Sequence, residues 1–331
     1  MKKRISILLA LVMLAALAMP LVGVVAEQKP ISLKLGHQAP DGTAYDNLAK
    51  TFKKYIEERT NGKYVIDVYS GGRLGGDREL MEALQFGNVH FNVLTASDMG
   101  TFAPEMEVQD LPYLFETWEQ VYKFLDSDAA KEFYALSDSV GIKTLSFMPR
   151  GFRHVTHGTK AIASLSDIKG EKLRVAESKI YEETFKAFGA SPQIMAWGEV
   201  YTALQQGTVN GMENTIVTIR DYSMSDVQKY CALTYHMFAF AAITVNPDFY
   251  NSLPAEGQAI FLQAAIDAGK DVGAIQEENE KVARAELEAK GMVFVELTDM
   301  PAWVEAVKPV WDEYFKTHDK AYFDAIQASY K

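Results

Sequence analysis

Strands alternating with helices, in two separate series, constrain this chain more than any other feature. The segment ISLKLGH (31–37) alternates and ends at Gly36, and AYDNLAKTFKKYIEERTNG (44–62) sets Leu48, Phe52, Tyr55 and Ile56 at helical spacing before Gly62. YVIDVYS (64–70) alternates again, DRELMEALQFG (77–87) reads as a helix and VHFNVLT (89–95) as a strand. After IKTLSFMPRGFRHVTHG (142–158) the pattern returns: a strand over Leu173–Ala176, a helix over Tyr181–Phe188, a strand SPQIMA (191–196), a helix WGEVYTALQQG (197–207) and a strand VNGMEN (209–214). The expected fold class is α/β with two lobes, each a mixed sheet flanked by helices. A boundary near Arg150 and Gly151 assigns 27–150 plus about 240–279 to lobe I and 151–239 plus about 280–331 to lobe II. From Pro254 to Lys290 no further proline occurs, and as one helix this segment would be about 54 Å long and span both lobes. Gly257, Gly269 and Gly273 weaken it.

A chain of 331 residues, 48% hydrophobic, can bury a substantial core and fill two domains. Its first 26 residues hold Lys2, Lys3 and Arg4, an apolar run, Pro20 and Gly23, then Val24 and Ala26 at small-residue positions. This reads as a secretory signal peptide cleaved after Ala26, which places the mature protein in the periplasm. No cysteine lies near the cut, so a lipid anchor is disfavoured. The mature chain then carries 30 basic against 44 acidic residues, a net of −14. Nucleic acid and anionic membrane both need a basic surface and are excluded as partners. Cys231 is the single cysteine, which allows no internal disulfide and reads as a small buried apolar residue. The expected state is a monomer.

The motifs that suggest chemistry resolve into structure. In SGGRLGGDRE (70–79) the spacing of Gly71 and Gly76 suits a phosphate loop, but Asp77 stands where lysine is needed, and the segment reads as a turn into a helix capped by Asp77. His154 and His157 lie three apart on a strand, hence on opposite faces, with no third metal ligand in view. Glu199 and Glu213 could pair as acid and base, yet they flank element ends where structural carboxylates are common. There is no nucleophile elbow, zinc-protease helix or dinucleotide fingerprint. No catalytic residue, cofactor or metal is therefore expected. In KGEKLRVAES (169–178) Arg174 ends a strand and faces either solvent or, if it meets a cleft, an anion. Arg153, Arg174, Trp197 and Asn214 fall at the ends of the second lobe's strands, where α/β sheets bind ligands. They suggest recognition without reaction.

Several segments carry a family resemblance: LGGDRELMEALQFGNV (74–89), DLPYLF (110–115), GFRH (151–154), KGEKLRV (169–175) and above all EVYTALQQGTVNGMEN (199–214). Together they resemble the extracytoplasmic solute-binding subunits of tripartite ATP-independent periplasmic (TRAP) transporters, the DctP type, over essentially residues 31–325. Asn210 replaces the usual aspartate of the last block and Thr215 the usual proline after it. The resemblance implies that Arg174 forms a bidentate salt bridge with a substrate carboxylate, that Arg153 and Asn214 complete that pocket, and that Trp197 packs on the substrate body. One residue more than the commonest spacing separates Arg153 from Arg174. Thr95 and Asp98 stand where sialate-binding members carry an acidic residue and a further arginine, which disfavours sialate. Thr95, His37 and Glu213 complete the candidate ligand-binding set. The ligand implied is a small organic acid, a C4-dicarboxylate, sugar acid, keto acid or aromatic acid; Trp197 with the small Thr95, Ala96 and Ser97 leans toward a body bulkier than a C4 diacid. The partners implied are a large and a small integral-membrane subunit driven by an ion gradient, with hinges near Arg150 and around Phe238–Thr244. A sensory role for the same fold and an exported hydrolase are the alternatives. Trp118, Trp303 and Trp311 are expected away from the cleft.

Overall fold

The computed structural model describes residues 29–331; the leader assigned to 1–26 lies outside them. Ten strands are present among the described residues: β1 (Ile31–Gly36), β2 (Tyr64–Tyr69), β3 (Phe91–Thr95), β4 (Lys143–His157), β5 (Lys172–Val175), β6 (Ser191–Ile194), β7 (Gly211–Thr215), β8 (Tyr230–Ala232), β9 (Phe238–Val245) and β10 (Val293–Val295). The order is β2-β1-β3-β9-β4-β7-β5-β6, with β8 joining β4 to β10. Strand β1 runs parallel to β2 and β3, and β5 runs parallel to β6 and β7. Strand β9 is antiparallel to β3 and β4, and β4 is antiparallel to β7 and β8. Both halves are thus mixed sheets with helices, the two-lobed α/β arrangement that the alternating pattern implies.

Strand β4 joins the halves. Residues 143–152 pair with β9 and residues 153–157 with β7 and β8, so one strand serves both sheets. Fourteen of its fifteen residues are buried, as expected of a strand covered on both faces. Its pairing with β9 slips between Pro149 and Gly151, where Arg150 is the extra residue and Gly151 adopts φ +124°.

The segment 254–290 is two helices, Ala255–Gly273 and Gln276–Ala289, about 28 and 21 Å long, rather than one. The first lies so close on β4 that a Cβ on Gly269 would stand 2.8 Å from the Phe147 carbonyl oxygen, and one on Gly273 would stand 2.6 Å from Pro149. Phe261, Ala264, Ala265 and Ala268 bury into the core around β1 and β9. The second helix turns instead onto the helix Ile216–Asp221, sending Ala283 and Leu287 into a separate cluster with Met212 and Cys231. The break at Ala274–Ile275 lets each helix follow its own sheet.

Asp77 differs from expectation as well. Gly76 is the N-cap of the helix Asp77–Gln85, and the Glu79 carboxylate accepts the Gly76 N–H at 3.0 Å. Asp77 is the buried first helical residue, and its Oδ2 accepts the Thr95 N–H at 2.9 Å. That bond ties the helix to the end of β3 and leaves the carboxylate no part in the cap.

Candidate ligand-binding site

A narrow cavity of about 30 Å³ opens beside the carboxyl ends of β3, β5 and β7 and the bulge of β4. Of the predicted residues, Thr95, Arg153, Arg174, Trp197 and Asn214 line it. His37 and Glu213 do not, and neither do Trp118, Trp303 or Trp311. The lining also includes Gln38, Tyr45, Asp98, Arg150, Thr218 and Tyr222, none of which sequence reasoning put forward as a ligand contact.

Arg174 sits at the penultimate position of β5 and is 4% exposed. Its Nε and Nη2 both donate to the Met195 carbonyl, at 2.9 and 2.7 Å, and its guanidinium stacks 5.4 Å from the Trp197 ring. One edge of the fork is thereby pinned, and the Nη1–Nη2 end keeps donors for a ligand. Burial lowers its pKa from the ordinary value without removing the charge, since Glu213 and Asp98 oppose the shift.

Arg153 is held differently. Its Nε donates to Glu213 Oε2 at 2.5 Å, and its Nη2 donates to Oε1 at 2.8 Å and to the Glu213 carbonyl at 3.2 Å. Nη1 alone remains for the cavity. Burial acts to raise the Glu213 carboxyl, but the Arg153 charge and hydrogen bonds from His236 and Arg153 outweigh it and hold the group at about 2. Glu213 is therefore a buried counter-ion that fixes Arg153 from behind.

The β4 bulge accounts for a third guanidinium. On a regular strand Arg150 and Arg153, three apart, would face opposite ways; the extra residue brings both to the cavity. Arg150 Nη2 donates to Thr218 Oγ1 at 2.7 Å, and its guanidinium lies 4.8 Å from the Tyr45 ring. Thr218 in turn shares a 2.8 Å bond with Thr215, whose hydroxyl caps the helix Ile216–Asp221 by accepting the Thr218 N–H. The sequence signal was the PRG triplet at 149–151, a proline and a glycine around an arginine inside an apolar strand.

Asn214 is buried on β7, and its Oδ1 accepts the Thr215 N–H at 2.9 Å, which leaves Nδ2 without a partner among the described residues. Gly211 sets this strand's approach to β4: a Cβ there would lie 2.0 Å from the Thr156 carbonyl oxygen. Trp197 opens the helix Trp197–Gln205 and is partly exposed, edge-on to Tyr222 at 4.9 Å. Tyr45 and Thr95 share a 2.9 Å hydroxyl bond, and burial lifts the Tyr45 phenol to about 12, so it stays neutral. His37 is buried 3.6 Å from Asp46, and burial lowers its pKa against the pull of that carboxylate.

Among the described residues no group of three or more His, Cys, Asp or Glu side chains is arranged to hold a metal ion. His154 lies 3.9 Å from Glu280 and His157 3.1 Å from Glu171, each in its own environment. No helix of the described residues is long and apolar enough to cross a membrane.

Comparison with known proteins identifies relatives of the whole chain. The family described as bacterial extracellular solute-binding protein, family 7 (DctP) matches residues 35–318. The chain is 36% identical over 315 residues to a C4-dicarboxylate-binding periplasmic protein DctP of Rhodobacter capsulatus, covering 93% of each. A TRAP periplasmic solute-binding protein of a Polaromonas species bound to D-erythronate superposes with a TM-score of 0.86 at 31% identity, covering 90% of this chain and 98% of that one. One from Bordetella, with density assigned as pantoate, gives 0.86 at 33%, covering 91% and 98%.

Proposed function

As the chain belongs to bacterial extracellular solute-binding protein family 7, we propose that it is the capture subunit of a TRAP transporter, binding a small organic carboxylate on Arg174 in the periplasm. The observation that carries this is the pinned fork of Arg174, one edge on the Met195 carbonyl and the other open to a buried cavity that Arg150 and Arg153 also line. Guanidiniums gathered in a space shielded from water call for an anion, and a carboxylate matches the fork with two parallel bonds. Trp197 and Tyr222 offer an aromatic wall for the ligand body. The ligands named for the Polaromonas and Bordetella relatives, erythronate and pantoate, are carboxylates, and the Rhodobacter relative is named for C4-dicarboxylates.

Delivery requires the protein to close and reopen. The proposed moving bodies are 27–150 with about 240–279 and 151–239 with about 280–331. By this division the final helix, Ala321–Tyr330, counts with the second body, yet it is also tied to the first, where Tyr330 donates to the Leu114 carbonyl at 2.7 Å. Ser97 and Tyr181 share a 3.2 Å hydroxyl bond across the two bodies. A ligand that touches both favours the closed form by its extra contacts there. The large and small membrane subunits would then receive it, powered by an ion gradient. A thermal-shift screen against a library of carboxylates tests the assignment: a carboxylate should raise the melting temperature and be recovered chemically unchanged. Stabilisation by neutral or cationic solutes alone would overturn it.

A further inference from the structure

Behind the cavity a chain of polar side chains runs from Arg153 to the other body. The Arg153 guanidinium carbon lies 5.1 Å from the centre of the Tyr181 ring, on the helix Lys179–Ala187. The Tyr181 hydroxyl stands 3.2 Å from Ser97 Oγ, and Ser97 donates to Asp110 Oδ1 at 2.7 Å. Tyr181, Ser97 and Asp110 are all buried. Ser97 has a single hydroxyl proton and spends it on Asp110, so the proton between Ser97 and Tyr181 comes from Tyr181. Burial raises the pKa of the Tyr181 phenol, which keeps that proton in place at neutral pH. The order of donation is fixed, from Tyr181 to Ser97 to Asp110.

Both ends of the chain are anchored. Ser97 sits on the 3-10 segment Ala96–Thr101, and Asp110 ends the 3-10 segment Pro104–Asp110. Gln109 Nε2 donates to the Ala96 carbonyl at 3.1 Å, so two successive residues of the second segment hold the first. Among the described residues Asp110 Oδ2 has no hydrogen-bond partner, which leaves Ser97 to satisfy this buried carboxyl. At the other end Glu213 takes Nε and Nη2 of Arg153, and Nη1 faces the cavity. Ser97 and Asp110 belong to the body that includes 27–150, and Tyr181 and Arg153 to the body that includes 151–239. The Tyr181–Ser97 bond is the link of this chain that must break when the bodies part. Both hydroxyls then find water, so the bond contributes only its net worth as a neutral hydrogen bond.

We propose that Tyr181 is a positioning residue that fastens the ligand-bound form: its ring backs the Arg153 guanidinium, and its hydroxyl ties that arginine's body to Ser97 and Asp110 on the other. This rests on the carboxylate site and the two-body closure proposed above. The bond is made after the ligand has entered and the bodies have met, so it slows release and leaves entry unchanged.

Stopped-flow fluorescence and isothermal titration of the mature protein with D-erythronate, pantoate and succinate test this. Tyr181→Phe keeps the ring over Arg153 and removes the hydroxyl. It should speed release of a bound carboxylate by about twofold to tenfold and leave the association rate within about twofold. Ser97→Ala should have a similar effect, and the double variant should lose no more than the more affected single variant, because both substitutions break one bond. Tyr181→Phe preserves volume and keeps the test open if Ser97→Ala, which strips Asp110 of its donor, fails to fold. A release rate changed by less than twofold in Tyr181→Phe, a loss carried by slower association, or single effects that multiply in the double variant would each overturn the proposal. Arg174→Lys separates this failure from that of the site. If it weakens binding while Tyr181→Phe leaves release unchanged, only the fastening role falls. If it leaves binding unchanged, or if the wild type binds none of the three acids, the carboxylate reading falls and the fastening role with it.

Discussion

Replacing Glu213 with glutamine should destabilise the folded protein by about 3–5 kcal/mol, the usual consequence of removing one member of a buried ion pair. Arg153 is 2% exposed, and two of its nitrogens are spent on the two Glu213 carboxylate oxygens at 2.5 and 2.8 Å. Glutamine keeps the shape but presents one acceptor and an NH₂ group that meets a guanidinium edge donor to donor. The charge is lost and one bond becomes a clash. The depressed pKa of Glu213 implies a comparable figure. Its carboxyl sits at about 2 in the folded protein against an ordinary 4.5, and at about 1.4 kcal/mol per unit the difference is worth about 3.5 kcal/mol. Because the folded value is depressed, this stability is fully present above pH 4.5 and is lost as the pH falls through 4.5 toward 2. Urea denaturation at pH 7 and along a series down to pH 2.5 measures both effects. The variant should show a lower midpoint at pH 7 and a shallower loss of stability in acid. A change below about 1 kcal/mol at pH 7, or an acid profile parallel to wild type, would refute the claim that this pair holds Arg153 in place.

Arg174→Lys should weaken carboxylate binding by more than tenfold in isothermal titration, because an ammonium can meet the Met195 carbonyl or the ligand but not both with parallel bonds; a smaller loss would exclude bidentate binding. Trp197→Phe should remove most of the ligand-induced change in intrinsic fluorescence and weaken binding while the melting temperature falls little, since Trp197 is partly exposed against Tyr222; early unfolding with normal binding would mark it as a packing residue. Gly211→Ala should destabilise by about 2 kcal/mol or more, because its Cβ would stand 2.0 Å from the Thr156 oxygen, and wild-type stability in urea would show that β7 moves aside freely. Small-angle scattering should show a smaller radius of gyration with saturating ligand than without, and identical profiles would count against ligand-driven closure.

Much of the fold was legible because its elements announce themselves locally. The helix at Ala44–Arg59 and the strands on either side follow from residue periodicity and a stopping glycine, and the conformations of Gly62 and Gly189, both with positive φ, match the helix ends that the sequence assigns. Arg174, Arg153, Asn214 and Trp197 were found by their motifs and do line one cavity. Arg150 was not, because a period-two strand sends it away from Arg153 and only the bulge reverses that. Asp77 was read as a cap from its neighbours in sequence, while its Oδ2 partner is the Thr95 N–H, eighteen residues on. Tyr45 comes from one helix, and Thr218 and Tyr222 from another and the residue that caps it, segments that meet only after folding. The break after Gly273 was in part legible, since the glycines weaken the segment in sequence, whereas the close approach of Gly273 to Pro149 emerges only in the fold.

The sharing of β4 by both sheets has a consequence for dissecting the molecule. A cut at Gly151, where a reading by domains would place it, divides a single buried strand and leaves each fragment with part of it. The C-terminal fragment would then hold β9 without its β3 and β4 partners, an apolar strand with its hydrogen-bonding edges bare. Such fragments are expected to aggregate when made alone and to recover a soluble complex when made together. The two halves, proposed above to move as separate bodies, are thus not expected to behave as independent modules when divided at that point in the chain.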